Sequence, residues 1–152
     1  MTLTDRFGRV HRDLRISLTD HCNLRCTYCM PAEGVPWLPR KTLLTPEELM
    51  RIVRVAVGEG IEEVRLTGGE PLLRPDCVAV VAAIASVEPR PEISITTNGI
   101  GLSRLAEALK QAGLARVNIS LDTLKPDRFH QLTRRNRLAD VLAGIAAADA
   151  AG

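Results

Sequence analysis

What most limits the folds open to this chain is an alternation. Short β-branched runs recur along its whole length, each followed by a polar or glycine-bearing segment and then an amphipathic helical stretch. The runs Arg15–Thr19, Glu63–Thr67, Glu92–Thr96 and Arg116–Leu121 read as strands. The first helix opens at Thr45-Pro46-Glu47-Glu48, where Thr45 is the N-cap, Pro46 takes the first helical position and Glu48 completes a capping box. Leu49, Ile52, Val53, Ala56 and Val57 then fall on one face at helical spacing. Further helices are predicted from about Pro75 to Val87, from Ser103 to Ala112 with Gly113 as the stop, and from Ala139 to Ala151. Strands alternating with helices of this length imply right-handed βαβ units on a parallel sheet, hence an α/β domain. A chain of 152 residues suits one such core, and with aromatics at 3% that core must be built from Leu, Ile, Val and Ala.

In α/β folds the sites lie where the carboxyl ends of the strands meet the loops that follow. Every predicted strand here ends in small polar residues or glycine. Ser17 and Thr19, Thr67 to Glu70, Thr96 to Gly99, and Ser120 with Asp122 therefore converge on one rim. Into the loop after the first strand the chain places three of its four cysteines, Cys22-x-x-x-Cys26-x-x-Cys29. Such clustering points to metal or redox chemistry rather than a disulfide framework. Three thiolates on one compact loop suit three irons of a cubane cluster and leave the fourth iron open. The competing reading is a structural zinc site with His21 or a distant residue as fourth ligand, although no second Cys-x-x-Cys pair is present. Cys77 stands alone and reads as a small buried hydrophobe at a helix start.

Two glycines at the end of the second strand, Gly68-Gly69, allow either a tight turn or close backbone approach to a ligand. Arg15 and Arg65 stand in strands otherwise apolar. Directed inward, each needs an anionic partner, and a guanidinium fork suits phosphate oxygens; directed outward, each is simply solvated. Arg134, Arg135 and Arg137 form a basic knot read as a solvated face, with a triphosphate or partner contact as the alternative.

The segment Asp20-His21-Cys22-Asn23-Leu24-Arg25-Cys26-Thr27-Tyr28-Cys29, taken with Thr67-Gly68-Gly69-Glu70-Pro71, resembles the radical S-adenosylmethionine (SAM) superfamily. The resemblance implies a partial (βα) barrel with a parallel sheet, of which this chain would supply about four βα units of six. It implies a [4Fe–4S] cluster on Cys22, Cys26 and Cys29, and SAM bound at the open iron and contacted by Tyr28, Gly69 and Ser120. One-electron cleavage of SAM would then yield a 5′-deoxyadenosyl radical that takes hydrogen from a substrate.

Asp5-Arg6-Phe7-Gly8-Arg9, Leu14 to Asp20, Cys29-Met30-Pro31, Val64 to Leu72, and Ala112-Gly113-Leu114 leading to Ser120-Leu121-Asp122 are similar to the GTP 3′,8-cyclase family of molybdenum cofactor biosynthesis. That similarity implies a lyase acting on GTP, with Arg15, Arg65 and Thr96 as GTP contacts; a radical SAM enzyme with a different small-molecule or peptide substrate is the alternative. It also implies a reducing electron donor such as flavodoxin or ferredoxin, and a homodimer is compatible with it. Family members are about twice this length and hold a second cluster on a C-terminal cysteine triplet. With only Cys77 to spare, residues 1–152 read as the N-terminal part of such an enzyme, without that second cluster.

A net charge of +2 is too small to indicate a nucleic-acid binder. Met1 to Asp20 carries charges throughout and no apolar signal core, and no apolar run is long enough to span a bilayer, so a cytoplasmic location is expected.

Overall fold

The computed structural model describes residues 3–152; Met1 and Thr2, the first residues of the segment read for a leader, lie outside the described residues. Four strands, β1 (Asp13–Ser17), β2 (Glu63–Thr67), β3 (Glu92–Thr97) and β4 (Arg116–Ile119), form one open sheet in the order β1-β2-β3-β4. All three pairings are parallel. The helices are α1 (Pro46–Gly58), α2 (Cys77–Ala85), α3 (Leu102–Ala112), α4 (Pro126–Thr133) and α5 (Leu138–Ala151), with short 3₁₀ turns at Arg40–Thr42 and Pro71–Leu73. Among the described residues no helix is long and apolar enough to cross a membrane.

The parallel register separates the two faces of the sheet, with Thr97 beside Ile119 the one polar residue on the apolar side, because paired residues share a face and side chains alternate along each strand. One face carries Leu14 and Ile16, Val64 and Leu66, Ile93 and Ile95, and Val117 and Ile119. Against it pack Leu49, Val53 and Val57 of α1, Val80, Val81 and Ile84 of α2, and Leu102 and Leu109 of α3, as one aliphatic core. The other face is polar in every strand: Arg15 and Arg65 are register partners, as are Ser17 and Thr67, Ser94 and Arg116, and Thr96 and Asn118. The strands are therefore not apolar runs interrupted by a stray arginine. They alternate up to Thr97 at the end of β3, and the arginines belong to the polar side.

The capping box at the start of α1 forms as its sequence predicts: Thr45 Oγ1 accepts from Glu48 N at 3.2 Å and Glu48 Oε2 accepts from Thr45 N at 2.8 Å. β2 matches its predicted bounds, and α3 ends at Gly113. β1 begins and ends two residues earlier than predicted, since pairing starts where Glu62 N and Glu63 N donate to Arg12 O. The ladder does not stop at Ser17, for Leu18 N still donates to Thr67 O at 2.9 Å. α2 is shorter than predicted at both ends, beginning only after Arg74 has bridged to Asp76 at 2.7 Å and to Leu18 O at 3.1 Å. α4 has no counterpart among the predicted elements.

Candidate active site: a cysteine loop at the strand ends

The strand ends meet over the polar face in a cleft of about 200 Å³. Its walls include Cys22, Cys26, Tyr28 and Cys29 from the loop after β1, Thr67, Gly68 and Gly69 from the end of β2, Thr96, Thr97 and Asn98 from β3, and Ser120 and Asp122 beyond β4. Arg15 reaches it from within β1. Of the nine residues singled out in the sequence, eight therefore line one cavity.

Arg65 is the exception. Its Nη2 contacts Glu63 Oε1 at 3.1 Å, and that oxygen also accepts from Ser94 Oγ at 2.9 Å and Arg116 Nη2 at 2.6 Å. Burial alone would raise the Glu63 carboxyl, but these hydrogen bonds from Arg65, Ser94 and Arg116 hold it down at about 2. Arg15 is differently placed: its Nε lies 3.4 Å from Thr67 Oγ1, and among the described residues no carboxylate pairs with it.

Gly68 and Gly69 are required by the chain itself. Gly69 N donates to Thr19 O at 2.7 Å and Glu70 N to His21 O at 2.7 Å, which draws the end of β2 against the start of the cysteine loop. A Cβ on Gly68, where φ is +143°, would stand 2.4 Å from Thr19 O; one on Gly69 would stand 2.4 Å from both Asp20 O and His21 O. The close backbone approach foreseen for a ligand is thus already made to the loop that carries the cysteines. Glu70 adds a second stitch. Only 1% exposed, it accepts from Thr97 Oγ1 at 2.6 Å, Asn98 N at 2.7 Å and Leu72 N at 3.0 Å. Burial pushes its carboxyl above the usual range despite those donors. Asn98 Nδ2 passes the connection on to Asn23 Oδ1, between the first two cysteines, at 2.7 Å.

The loop rests on a separate small apolar cluster of Leu24, Cys26, Ile100, Phe129, Leu138 and Val141. Cys26 is buried, Cys22 is half-buried and Cys29 is exposed at the cleft. Burial raises the thiols of Cys22 and Cys26, and the charge of Cys29 raises both further, so the three sulfurs sit in one another's field. Tyr28 lies beside them with its hydroxyl donating to Asp122 Oδ2 at 2.8 Å, a bond that raises the phenol further from ionisation.

This donor set suits an iron–sulfur cubane. A cubane puts each thiolate on a different iron, and Cys22, Cys26 and Cys29 are free thiols lining one cleft. His21, the fourth ligand of the zinc alternative, is turned elsewhere: it stacks on Trp37 with ring centroids 5.0 Å apart and lines a different cavity with Arg40 and Leu43.

Phe129 and Thr133 of α4 also line the cleft, and sequence reasoning missed both. The available signal was Pro126 with Asp127 in a first helical turn, followed by a single apolar side chain at Phe129. The basic knot divides. Arg135 and Arg137 are exposed, as a solvated face requires, with Arg137 paired to Asp140 at 2.5 Å. Arg134 is half-buried and bonds to the cysteine loop.

Residues 16–152 match the Radical SAM superfamily. The chain is 64% identical over 99% of its length to a protein named GTP 3',8-cyclase from Streptomyces coelicolor, and 62% identical over 99% to one of the same name from Mycolicibacterium smegmatis. It covers 44% and 42% of these proteins, so it spans less than half the length of the curated relatives it matches. Among solved structures it superposes on methylornithine synthase with a TM-score of 0.72 at 18% identity, covering 92% of this chain and 42% of that one. On Streptococcus suis SuiB bound to its precursor peptide the TM-score is 0.69 at 22% identity, covering 93% and 31%. The fold, the cysteine loop and the sequence match together identify the chain as a member of the radical SAM superfamily.

Proposed function

We propose that the whole protein is a GTP 3′,8-cyclase. It would be a radical SAM lyase converting GTP to (8S)-3′,8-cyclo-7,8-dihydroguanosine 5′-triphosphate in molybdenum cofactor biosynthesis, with residues 1–152 as its N-terminal, radical-generating portion. The observation that carries this reading is the single cleft holding Arg15, Cys22, Cys26, Tyr28, Cys29, Gly69, Thr96 and Ser120, in a chain whose relatives at 60–64% identity bear that name. Superfamily membership implies a [4Fe–4S] cluster and SAM. The chemistry these supply when bound is one-electron cleavage of SAM to a hydrogen-abstracting radical.

The chain's own residues supply the rest. Cys22, Cys26 and Cys29 hold the cluster by three thiolates and leave one position for SAM. Gly69, Ser120 and the Tyr28 ring bind SAM across the mouth of the cleft. Arg15, the cation in the cleft without a carboxylate partner among the described residues, takes the triphosphate. Thr96 contacts GTP beside it. Arg65 joins them by exchanging Glu63 for phosphate, both anions meeting the same fork. The electron comes from a low-potential carrier such as flavodoxin or ferredoxin, the setting is cytoplasmic, and a homodimer is the assembly to test by sedimentation.

The test uses the whole protein, reconstituted anaerobically with iron and sulfide and reduced with dithionite. GTP deuterated at C3′ is expected to pass its label into 5′-deoxyadenosine, and Cys26→Ser to reduce that product to background. Unlabelled 5′-deoxyadenosine from an active wild type would overturn the substrate.

A further inference from the structure

Arg134 is the only non-glycine residue with positive φ among the described residues, at 55°. Such a conformation persists in an L-residue only where its surroundings enforce it. Here Arg134 ends α4 as a left-handed cap, its N donating to His130 O at 2.7 Å, and its side chain turns onto the cysteine loop. Arg134 Nη1 donates to Arg25 O at 3.0 Å and to Met30 O at 3.1 Å, the carbonyls immediately before Cys26 and immediately after Cys29. The backbone of the same turn is bonded to the same loop, with Arg25 N donating to Thr133 O at 3.0 Å and Thr27 N to Leu132 O at 2.8 Å. Between those fastenings Cys29 N and Met30 N donate to Cys26 O, at 3.1 and 3.0 Å, which closes the segment on itself. The first cysteine is held by other means: Arg25 Nη1 donates to Cys22 O at 2.8 Å, and Asn98 holds Asn23.

We propose that Arg134 is a positioning residue, whose guanidinium bridges the two carbonyls flanking Cys26–Cys29 and fixes the separation of those two thiols for cluster binding. The proposal rests on the reading that these cysteines hold the cluster. A charged donor shared by two carbonyls makes a stronger tie than a neutral one, and the two N–H groups of the single nitrogen Nη1 are fixed in the guanidinium plane, whereas those of an ammonium turn freely. α4 thus acts as a cradle. Its end sets the loop from outside while Phe129 supports Leu24 and Cys26 from below.

The variant that isolates this role is Arg134→Gly, since glycine adopts the left-handed backbone without strain and removes only the side chain. In cluster-free protein, alkylation of Cys26 and Cys29 by iodoacetamide, resolved by peptide mass, is expected to run about tenfold faster than in wild type. Cys22 should change by less than about twofold on the same scale, and buried Cys77 should stay unreactive in both. The melting temperature should hold, and the reconstituted variant should lose iron faster than wild type. Arg134→Lys, which keeps the charge but not the planar pair of N–H donors, is expected to fall between the two. Equal labelling of Cys26 and Cys29 in Arg134→Gly and wild type would overturn the proposal. So would an Arg134→Gly protein that no longer folds, because the side chain would then be holding the fold and not the loop. A wild type that binds no iron and sulfide would instead refute the cluster reading, while the cluster-free labelling still judges the clamp.

Discussion

At the residue scale the carboxylate of Glu70 decides more than its place in a glycine-glycine-glutamate run suggests. It is buried, it satisfies a hydroxyl and two backbone N–H groups, and through Asn98 it reaches Asn23 in the cysteine loop. Glu70→Ala would leave Asn98 N and Leu72 N without acceptors in the interior. It is expected to cost about 2–3 kcal/mol in urea unfolding, against a smaller loss for Glu70→Gln, whose amide oxygen still accepts. Gly69→Ala places a methyl against two backbone carbonyls that cannot retreat without opening the join between β2 and the loop. A loss of about 1–3 kcal/mol is expected, with weaker SAM binding as its functional counterpart. The sequence made Gly69 legible as a close-approach residue. It could not say that the first thing approached is the chain itself, because that contact joins residues about fifty positions apart.

At the scale of elements, α1 and α4 are opposites. α1 carries its full address in sequence: a capping box, a proline in the first turn and an apolar stripe. Thr45→Ala should cost about 1 kcal/mol, read by thermal or urea unfolding. α4 is eight residues long with Phe129 and Thr133 its buried side chains, too short and too polar for periodicity to reveal. Its stability comes from what it touches. Phe129→Ala removes the side chain beneath Leu24 and Cys26 and should cost about 3–5 kcal/mol, with iron retention falling in parallel after reconstitution.

At the scale of the whole molecule, the sheet has one face that folds it and one that serves the site, and Glu63 ties the second together across β2, β3 and β4. Its carboxyl is held near 2, below the ordinary glutamate value of 4.5. The ionised form is therefore favoured in the folded state. The stability it contributes is present above about 4.5 and is lost as pH falls from there toward about 2. Glu63→Gln should accordingly be less stable than wild type at neutral pH, with the gap closing across that acid window in pH-dependent urea titrations. The sequence by itself determined the parallel α/β order, the helices with strong caps and stripes, and the cysteine loop with its glycine partner, because each is written in spacing along a few consecutive residues. Only the tertiary structure decided that Arg65 faces Glu63 while Arg15 faces the cleft, that α4 exists, and that Arg134 leaves its two solvated neighbours to grip the cysteine loop. Glu63 is only two positions from Arg65, but Ser94 and Arg116 that hold its carboxylate are distant, as are the partners of Arg15, α4 and Arg134, and local pattern holds no information about which distant group will satisfy a charge or a carbonyl.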